Sequence, residues 1–308
     1  MLVAAASLAG CGAPTAPSEP AATPVPSLAA SLPIPAPSDG AAETTILLAA
    51  GDIGRCDSTH DDATGALVAG LPGVIATLGD VAYEDGTTAE LNDCFGRSWG
   101  PVKDRIRFAV TGNHDVHTDD GAPMHAYMGS AATRDGRTWF SDDLGAWHVI
   151  VLDGNCGLLA NHCSTGSDQA TWLRDDLAAS HATCTVALLH QPRFSSGDHG
   201  NDRGVQALWD AMYAGGVDLV LDGHDHDYER FGPQDPAGTA DPARGIVEII
   251  AGTGGAELEG FRDPRPNSLV RLDDAYGVLE LTLLADSWSS RFIGVDGAVH
   301  DEASGTCH

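Results

Sequence analysis

Basic residues are scarce in this chain of 308 residues: 16 Lys and Arg stand against 44 Asp and Glu, a formal net charge of -28. A surface so poor in cations is unsuited to a nucleic-acid backbone, which its binders grip with clustered Lys and Arg. The charge balance therefore argues against nucleic acid as a partner. It does not argue against small phosphorylated molecules, because the field of distant carboxylates is screened within ~8 Å at physiological salt. The apolar stretch 2–9 is too short to cross a bilayer as a helix. There is no CxxC pair, which argues against a cysteine-rich zinc site. No Lys or Arg precedes Arg55, so the basic segment of an export leader is missing. No internal repeat occurs.

The hydrophobic content of 43% is enough for a sizeable core. At the N-terminus the apolar stretch runs into Leu8-Ala9-Gly10-Cys11, which resembles a bacterial lipobox, where the cysteine is lipidated and becomes the mature N-terminus. An ordinary signal peptide with a small-residue cleavage site is the other reading. Residues 1–11 are thus expected to direct export, with a lipidated Cys11 as a membrane tether. Residues 12–43 are rich in Pro, Ala and Ser, lack aromatics and show no periodicity, as a disordered linker does. Residues 44–308 are expected to form the functional domain. Six cysteines remain after Cys11, an even number that suits three disulfides in an exported protein. Cys156 and Cys163 share one short loop and are expected to pair. Cys56–Cys94 and Cys184–Cys307 then complete one of the fifteen arrangements six cysteines allow.

From Thr44 onward, short Val/Ile/Leu-rich runs each end in a polar cluster. Runs 45–50, 74–78 and 108–111 end in Gly51-Asp52, Gly79-Asp80 and Gly112-Asn113-His114. Runs 148–152, 185–189 and 217–221 end in Asp153-Gly154-Asn155, His190 and Asp222-Gly223-His224. Continuous apolar runs of this length suit strands buried on both faces. Helical spacing lies between them: Val205, Leu208, Trp209 and Met212 before Gly215-Gly216, and Trp172, Leu173 and Leu177 behind a Ser167 cap. The alternation implies an α/β fold. After residue 244, runs 245–251, 276–284 and 291–295 read as strands without helices between them, which suggests a second sheet. Ligands in open α/β sheets bind beyond the carboxyl ends of strands, and here six strands deliver Asp, Asn or His at that end.

Each piece has an ordinary explanation. Gly-Asp pairs are common in turns, Asn113 suits a left-handed position, and His190 suits a hydrogen-bonded core histidine. Gly223-His224-Asp225-His226 is more telling, since residues i and i+2 of an extended segment point the same way and would aim two imidazoles at one place.

Together, Gly51-Asp52-Ile53-Gly54, Gly79-Asp80-Val81-Ala82-Tyr83, Gly112-Asn113-His114, His190 and Gly223-His224-Asp225-His226 resemble, in order, the motifs of the metallophosphoesterases, and among them the purple acid phosphatases. Generic calcineurin-like members place a ligand histidine two residues after the first Asp, where this chain has Gly54; Tyr83 is the purple acid phosphatase replacement. The resemblance implies a four-layer αββα sandwich of two mixed β-sheets flanked by helices. It implies two metal ions: Fe(III) held by Asp52, Asp80, Tyr83 and His226, and a divalent Fe, Zn, Mn or Mg held by Asp80, Asn113, His190 and His224. A phenolate is a hard donor suited to Fe(III). It further implies hydrolysis of phosphate monoesters by in-line attack of a metal-bound hydroxide, with His114 and His199 as proton donors outside the cytoplasm. His114 would face substrate because neighbours in an extended chain point apart. His199 lies in a segment, 195–200, resembling the family's substrate-facing loop. A phosphodiesterase or nucleotidase on the same scaffold is the near alternative, and a non-catalytic, metal-stabilised binding module the distant one. Arg193 reads as a phosphate contact or a structural ion pair. Asp225 and Glu229 read as hydrogen-bond acceptors for ligand histidines or as loop charges. Gly252-Thr253-Gly254-Gly255 reads as a weak phosphate-loop candidate.

Overall fold

The first apolar run shows why the core has several layers. In a strand, alternate residues face opposite sides. Leu47 and Ala49 on one side and Leu48 and Ala50 on the other are all buried, and the two pairs belong to different apolar clusters. The computed structural model describes residues 44–158 and 163–308; the expected leader at 1–11, Cys11 and the linker at 12–43 lie outside the described residues.

The first half of the chain runs through β1 (Thr45–Ala50), α1 (His60–Gly70), β2 (Val74–Leu78), the short helices α2 (Thr88–Glu90) and α3 (Gly96–Ser98), β3 (Ile106–Val110), α4 (Ala122–Met128), β4 (Phe140–Leu144) and β5 (Trp147–Val151). The second half runs through α5 (Asp168–Ala179), β6 (Cys184–Leu188), α6 (Gln206–Ala214), β7 (Leu219–Asp222), β8 (Tyr228–Phe231) and β9 (Val247–Ala251). It closes with β10 (Ser268–Leu272), β11 (Gly277–Leu283), β12 (Ser287–Gly294) and β13 (Val299–Thr306). One sheet has the order β13-β12-β11-β1-β2-β3 and the other β10-β8-β9-β7-β6-β5-β4. Both are mixed: β1, β2 and β3 are parallel, as are β5, β6, β7 and β9, with antiparallel strands outside each group.

Residues such as Leu47, Leu78, Val110, Val149, Leu188 and Leu221 pack between the sheets. Leu173, Leu177, Leu208, Trp209 and Met212 of α5 and α6 cover Ile150, Ala187 and Val220 on the outer face of the second sheet. Val68 of α1, Phe95, Trp99, Met124 and Met128 cover Leu48, Ile75 and Ala109 of the first. The result is the helix–sheet–sheet–helix sandwich expected from the motifs. Ser167 caps α5 by accepting from the Ala170 amide.

One expectation is corrected. The helix-free strands after residue 244 do not form a sheet of their own. β9 enters the second sheet between β7 and β8, whereas β11, β12 and β13 pair antiparallel outward from β1 in the first. Antiparallel neighbours need no crossover helix, so the loss of helices marks strands added beside two existing parallel centres. The disulfides are Cys56–Cys94, Cys156–Cys163 and Cys184–Cys307. The last joins β6 of one sheet to the segment following β13 of the other.

Candidate metal centre

The two parallel centres bring their carboxyl ends together. The amide of Gly51, just past β1, donates to the carbonyl of Ala251, the last residue of β9, at 2.9 Å. Asp52, Asp80 and Asn113 follow β1, β2 and β3 of one sheet; His190 follows β6 of the other, and His224 and His226 follow β7. The seven residues singled out in the sequence meet at this seam.

They form two overlapping groups. Around Tyr83, the hydroxyl donates to Asp52 Oδ1 at 2.7 Å and lies 3.3 Å from Asp80 Oδ2 and 3.0 Å from His226 Nε2. His226 Nε2 is 3.4 Å from Asp52 Oδ1. Around His190, Nε2 lies 3.1 Å from Asn113 Oδ1 and 3.2 Å from Asp80 Oδ2, and Asp80, His190 and His224 offer donor atoms within 4.8 Å of one another. Asp80 Oδ2 is common to both groups.

The backbone needed for this is unusual. Asp52, Asp80 and His224 have φ of 60°, 48° and 72°, a region that costs non-glycine residues energy and recurs at functional sites. Asn113, which suits such a position, does not adopt it. A side chain on Gly79 would run into the His190 ring, and one on Gly112 into the Asp80 carboxylate. The glycines of these motifs are the space their neighbours' donors occupy.

Both inner imidazoles are oriented by carbonyls. His190 Nδ1 bonds to the Leu78 carbonyl at 2.7 Å and His226 Nδ1 to the Glu257 carbonyl at 2.8 Å. Each Nε2 is thereby aimed inward, the arrangement that prepares histidine for a cation. Without a cation the charges compensate one another. Burial opposes protonation of His190, yet Asp80, Asp52 and the Leu78 carbonyl push its pKa up to about 10. His226 is likewise raised to about 9, chiefly by Asp52 against burial. Burial and the adjacent His190 and His199 drive His224 down to about 3. Burial also favours the neutral form of Asp52 and Asp80, but the histidines outweigh it and hold both below the usual carboxylate range. Tyr83 is pushed far up, by burial first and by Asp52 and Asp80 next.

The extended-chain reasoning behind two expectations, the convergence of His224 with His226 and the orientation of His114, needs correction. His224 has a left-handed backbone, so it and His226 do not converge through extended alternation; each ring serves a different group. His114 is αR and opens a 3-10 turn, Asp115–His117, rather than opposing Asn113 in an extended chain. Its ring nonetheless sits 4.6 Å from that of Tyr83, and Nδ1 bonds to the Glu84 carbonyl at 2.6 Å. His199 stacks on His224 at 4.3 Å, with Nε2 3.6 Å from Glu259 Oε2. Arg193 turns away toward α6, donating to Gln206 Oε1 at 2.7 Å. Asp225 and Glu229 accept from the amides of His199 and Ser196 rather than from the ligand imidazoles. Gly252 and Gly254 commit their amides to the carbonyls of Asp227 and Gly51.

Sequence reasoning missed Asp115. Fully buried, it accepts from the amides of Val81 at 3.0 Å and Gly112 at 2.8 Å, tying the loops after β2 and β3 together. Burial and Asp80 raise its pKa to about 7. Its only signal was its position two residues after Asn113.

The family profile described as calcineurin-like phosphoesterase matches residues 47–228. The chain is 24% identical over 259 residues to "Probable inactive purple acid phosphatase 1" of Arabidopsis thaliana, covering 73% of this chain and 41% of that one. It is 28% identical over 250 residues to "Acid phosphatase type 7" of Mus musculus, covering 70% and 56%. The chain thus spans about half the length of the curated relatives it matches. Among solved structures, a purple acid phosphatase from yellow lupin (Lupinus luteus) seeds superposes with a TM-score of 0.72 at 17% identity, covering 88% of this chain and 55% of that one. With the profile matched over more than half of its length, the chain belongs to the calcineurin-like phosphoesterase family.

Proposed function

We propose that this protein is a phosphatase that hydrolyses small phosphate monoesters at a dinuclear metal centre. The observation that carries the reading is Asp80 Oδ2, one carboxylate oxygen within 3.3 Å of donors in both groups. Two donors bound at ~2.1 Å to one ion, at octahedral to tetrahedral angles, lie roughly 3.0–3.4 Å apart. Apart from the 2.7 Å hydrogen bond from Tyr83 to Asp52, the separations between Tyr83, Asp52, His226 and Asp80, and between His190, Asn113 and Asp80, run from 3.0 to 3.4 Å. The donor set therefore fits a pair of ions. Asp52, Tyr83 and His226 would hold Fe(III), Asn113, His190 and His224 a divalent Fe, Zn, Mn or Mg, and Asp80 both.

Such a pair, when bound, supplies an activated water and neutralises the phosphoryl oxygens. The chain supplies the rest. Tyr83 offers a proton to Asp52 that a trivalent ion would displace, leaving a phenolate suited to iron. His114 is the proton donor for the leaving group. Its Nδ1–H is held by the Glu84 carbonyl and its side chain is one-quarter exposed, so in the doubly protonated ring the Nε2–H is the proton left to deliver, and the neutral ring regains one from water. The three disulfides support placing the protein in an oxidising compartment outside the cytoplasm; no described helix is long and apolar enough to cross a membrane.

Turnover of p-nitrophenyl phosphate should exceed that of bis-p-nitrophenyl phosphate. The reverse preference would make the protein a diesterase, and hydrolysis of neither by metal-replete protein would make it a binding module. Tyr83→Phe should abolish a phenolate-to-iron absorption band in the visible spectrum, and a band that survives would locate the phenolate elsewhere. His114→Ala should lower kcat by on the order of 10²–10⁴-fold at unchanged metal content; an unaltered kcat would remove it from the chemistry.

A further inference from the structure

One strand-end cluster picked out in the sequence contributes no donor to the centre. The run 148–152 ends in Asp153-Gly154-Asn155, and all its polar atoms work behind the site. Asn155 is buried. Its Nδ2 donates to the Thr111 carbonyl at 3.0 Å and to Asp153 Oδ1 at 2.9 Å, and its Oδ1 accepts from Gln191 Nε2 at 3.0 Å. A carbonyl and a carboxylate can only accept, so the orientation of the amide is fixed by its partners. Asp153 anchors it: Oδ1 also accepts from the Asn155 amide at 3.0 Å, Oδ2 accepts from Thr138 Oγ1 at 2.7 Å, and its backbone bonds twice to the Gln169 side chain of α5. A side chain on Gly154 would run into Gln191 Oε1.

The places of these partners matter. Thr111 lies two residues before Asn113, beyond β3 of the first sheet, and Gln191 directly follows His190, beyond β6 of the second. Asn113 Oδ1 and His190 Nε2 meet at 3.1 Å. Asn155, beyond β5, thus ties the chain beside one donor to the chain beside the other. The His190 bond to the Leu78 carbonyl aims its ring but does not reach the loop of Asn113. The group around Tyr83 is joined across the sheets by backbone instead: the amides of Gly51, Gly254 and Ala256 donate to the carbonyls of Ala251, Gly51 and Asp52, each at 2.9 Å. Asn155 touches none of these.

We propose that Asn155 is a positioning residue for the divalent ion alone. It sets Asn113 against His190 across the seam, and so the affinity of that half of the centre, while leaving the half around Tyr83 untouched. The inference rests on the dinuclear reading. Metal donors must be held within about 0.2 Å of their bonding distances, so slack between the two loops is read directly as lost affinity. A shorter side chain at 155 would leave the Thr111 carbonyl and the Gln191 amide buried without this partner, and a carboxylate would repel Asp153.

The test loads the full chain with Fe(III) and Zn²⁺, dialyses it against graded concentrations of a zinc chelator, and counts both metals by elemental analysis alongside the visible spectrum. In Asn155→Ala the dissociation constant for zinc should rise on the order of 10–100-fold, the range met when a hydrogen-bond partner behind a metal ligand is lost. Iron content and the visible band should not change, a split that general loosening of the fold would not give. Gln191→Met keeps the length of the side chain and removes its donor; it should show the same split with a smaller rise, and it decides the matter if Asn155→Ala fails to fold. Zinc held as tightly as in the native protein overturns the proposal, as does parallel loss of iron and zinc. A native chain that saturates at one ion sinks the dinuclear reading instead, and this inference with it.

Discussion

Asp80→Ala should leave the dinuclear group without metal and reduce phosphate-ester hydrolysis by on the order of 10⁴-fold or more. The size follows from what paired cations do: they acidify bound water strongly enough for hydroxide to form near neutral pH, and without them the nucleophile at neutral pH almost vanishes. Asp80 is singled out because its Oδ2 faces both Tyr83 and His190, whereas every other donor belongs to one group. The residue also holds the backbone, since Oδ1 accepts from the His114 amide at 2.8 Å. Asp80→Asn separates the two effects. It keeps an oxygen for His114 and removes only the charge, so it should lose metal nearly as completely while retaining native circular dichroism. Metal analysis and p-nitrophenyl phosphate turnover measure the outcome; native metal content with native turnover in either variant would discredit the shared-ligand assignment.

Joint replacement of Cys184 and Cys307 by Ser should lower stability by about 2–5 kcal/mol. The bond closes a loop with a sequence separation of 123, for which chain entropy alone gives about 5 kcal/mol. Cys156–Cys163 spans only 7, worth roughly half as much on the same relation. At roughly 2–4 °C per kcal/mol for a domain of this size, the expected fall in Tm is on the order of 5–20 °C, larger than for the Cys156/Cys163 pair. Thermal unfolding of both double variants checks the order; a shift below about 2 °C for Cys184/Cys307 would mean that the sheets hold without the bridge.

How much of this was legible beforehand depends on which physical signal each element sends. β1, β2, β6, β7 and the end of β3 are buried on both faces, which imposes largely apolar runs, and all of them except β6 are followed by a glycine within two residues. The other edge strands, β4, β10 and β13, send a weaker signal. β13 reads Val-His-Asp-Glu-Ala-Ser-Gly-Thr, with no fully buried residue; β4 buries only its terminal Phe140 and Leu144, and β10 buries none of its residues fully. α1 was missed because its buried residues are Asp61, Thr64, Gly65 and Val68, which make no apolar stripe. At the site, the donors were readable from motif order, but the reasons for their convergence were not. The positive φ of His224 and the helical turn at His114 arise from tertiary context, and the carbonyls of Leu78 and Glu257 that aim His190 and His226 belong to the backbone, which every sequence has.

The seam between the sheets has one more consequence. Asp52, Asp80, Tyr83 and Asn113 come from one sheet's loops, and His190, His224 and His226 from the other's. On the proposed assignment, ions shared across that boundary would clasp the two halves of the sandwich, and by mass action whatever binds only the aligned arrangement also stabilises it. Occupancy and alignment are then reciprocal: a substitution deep in the inter-sheet core, far from any donor, registers as weakened affinity for metal.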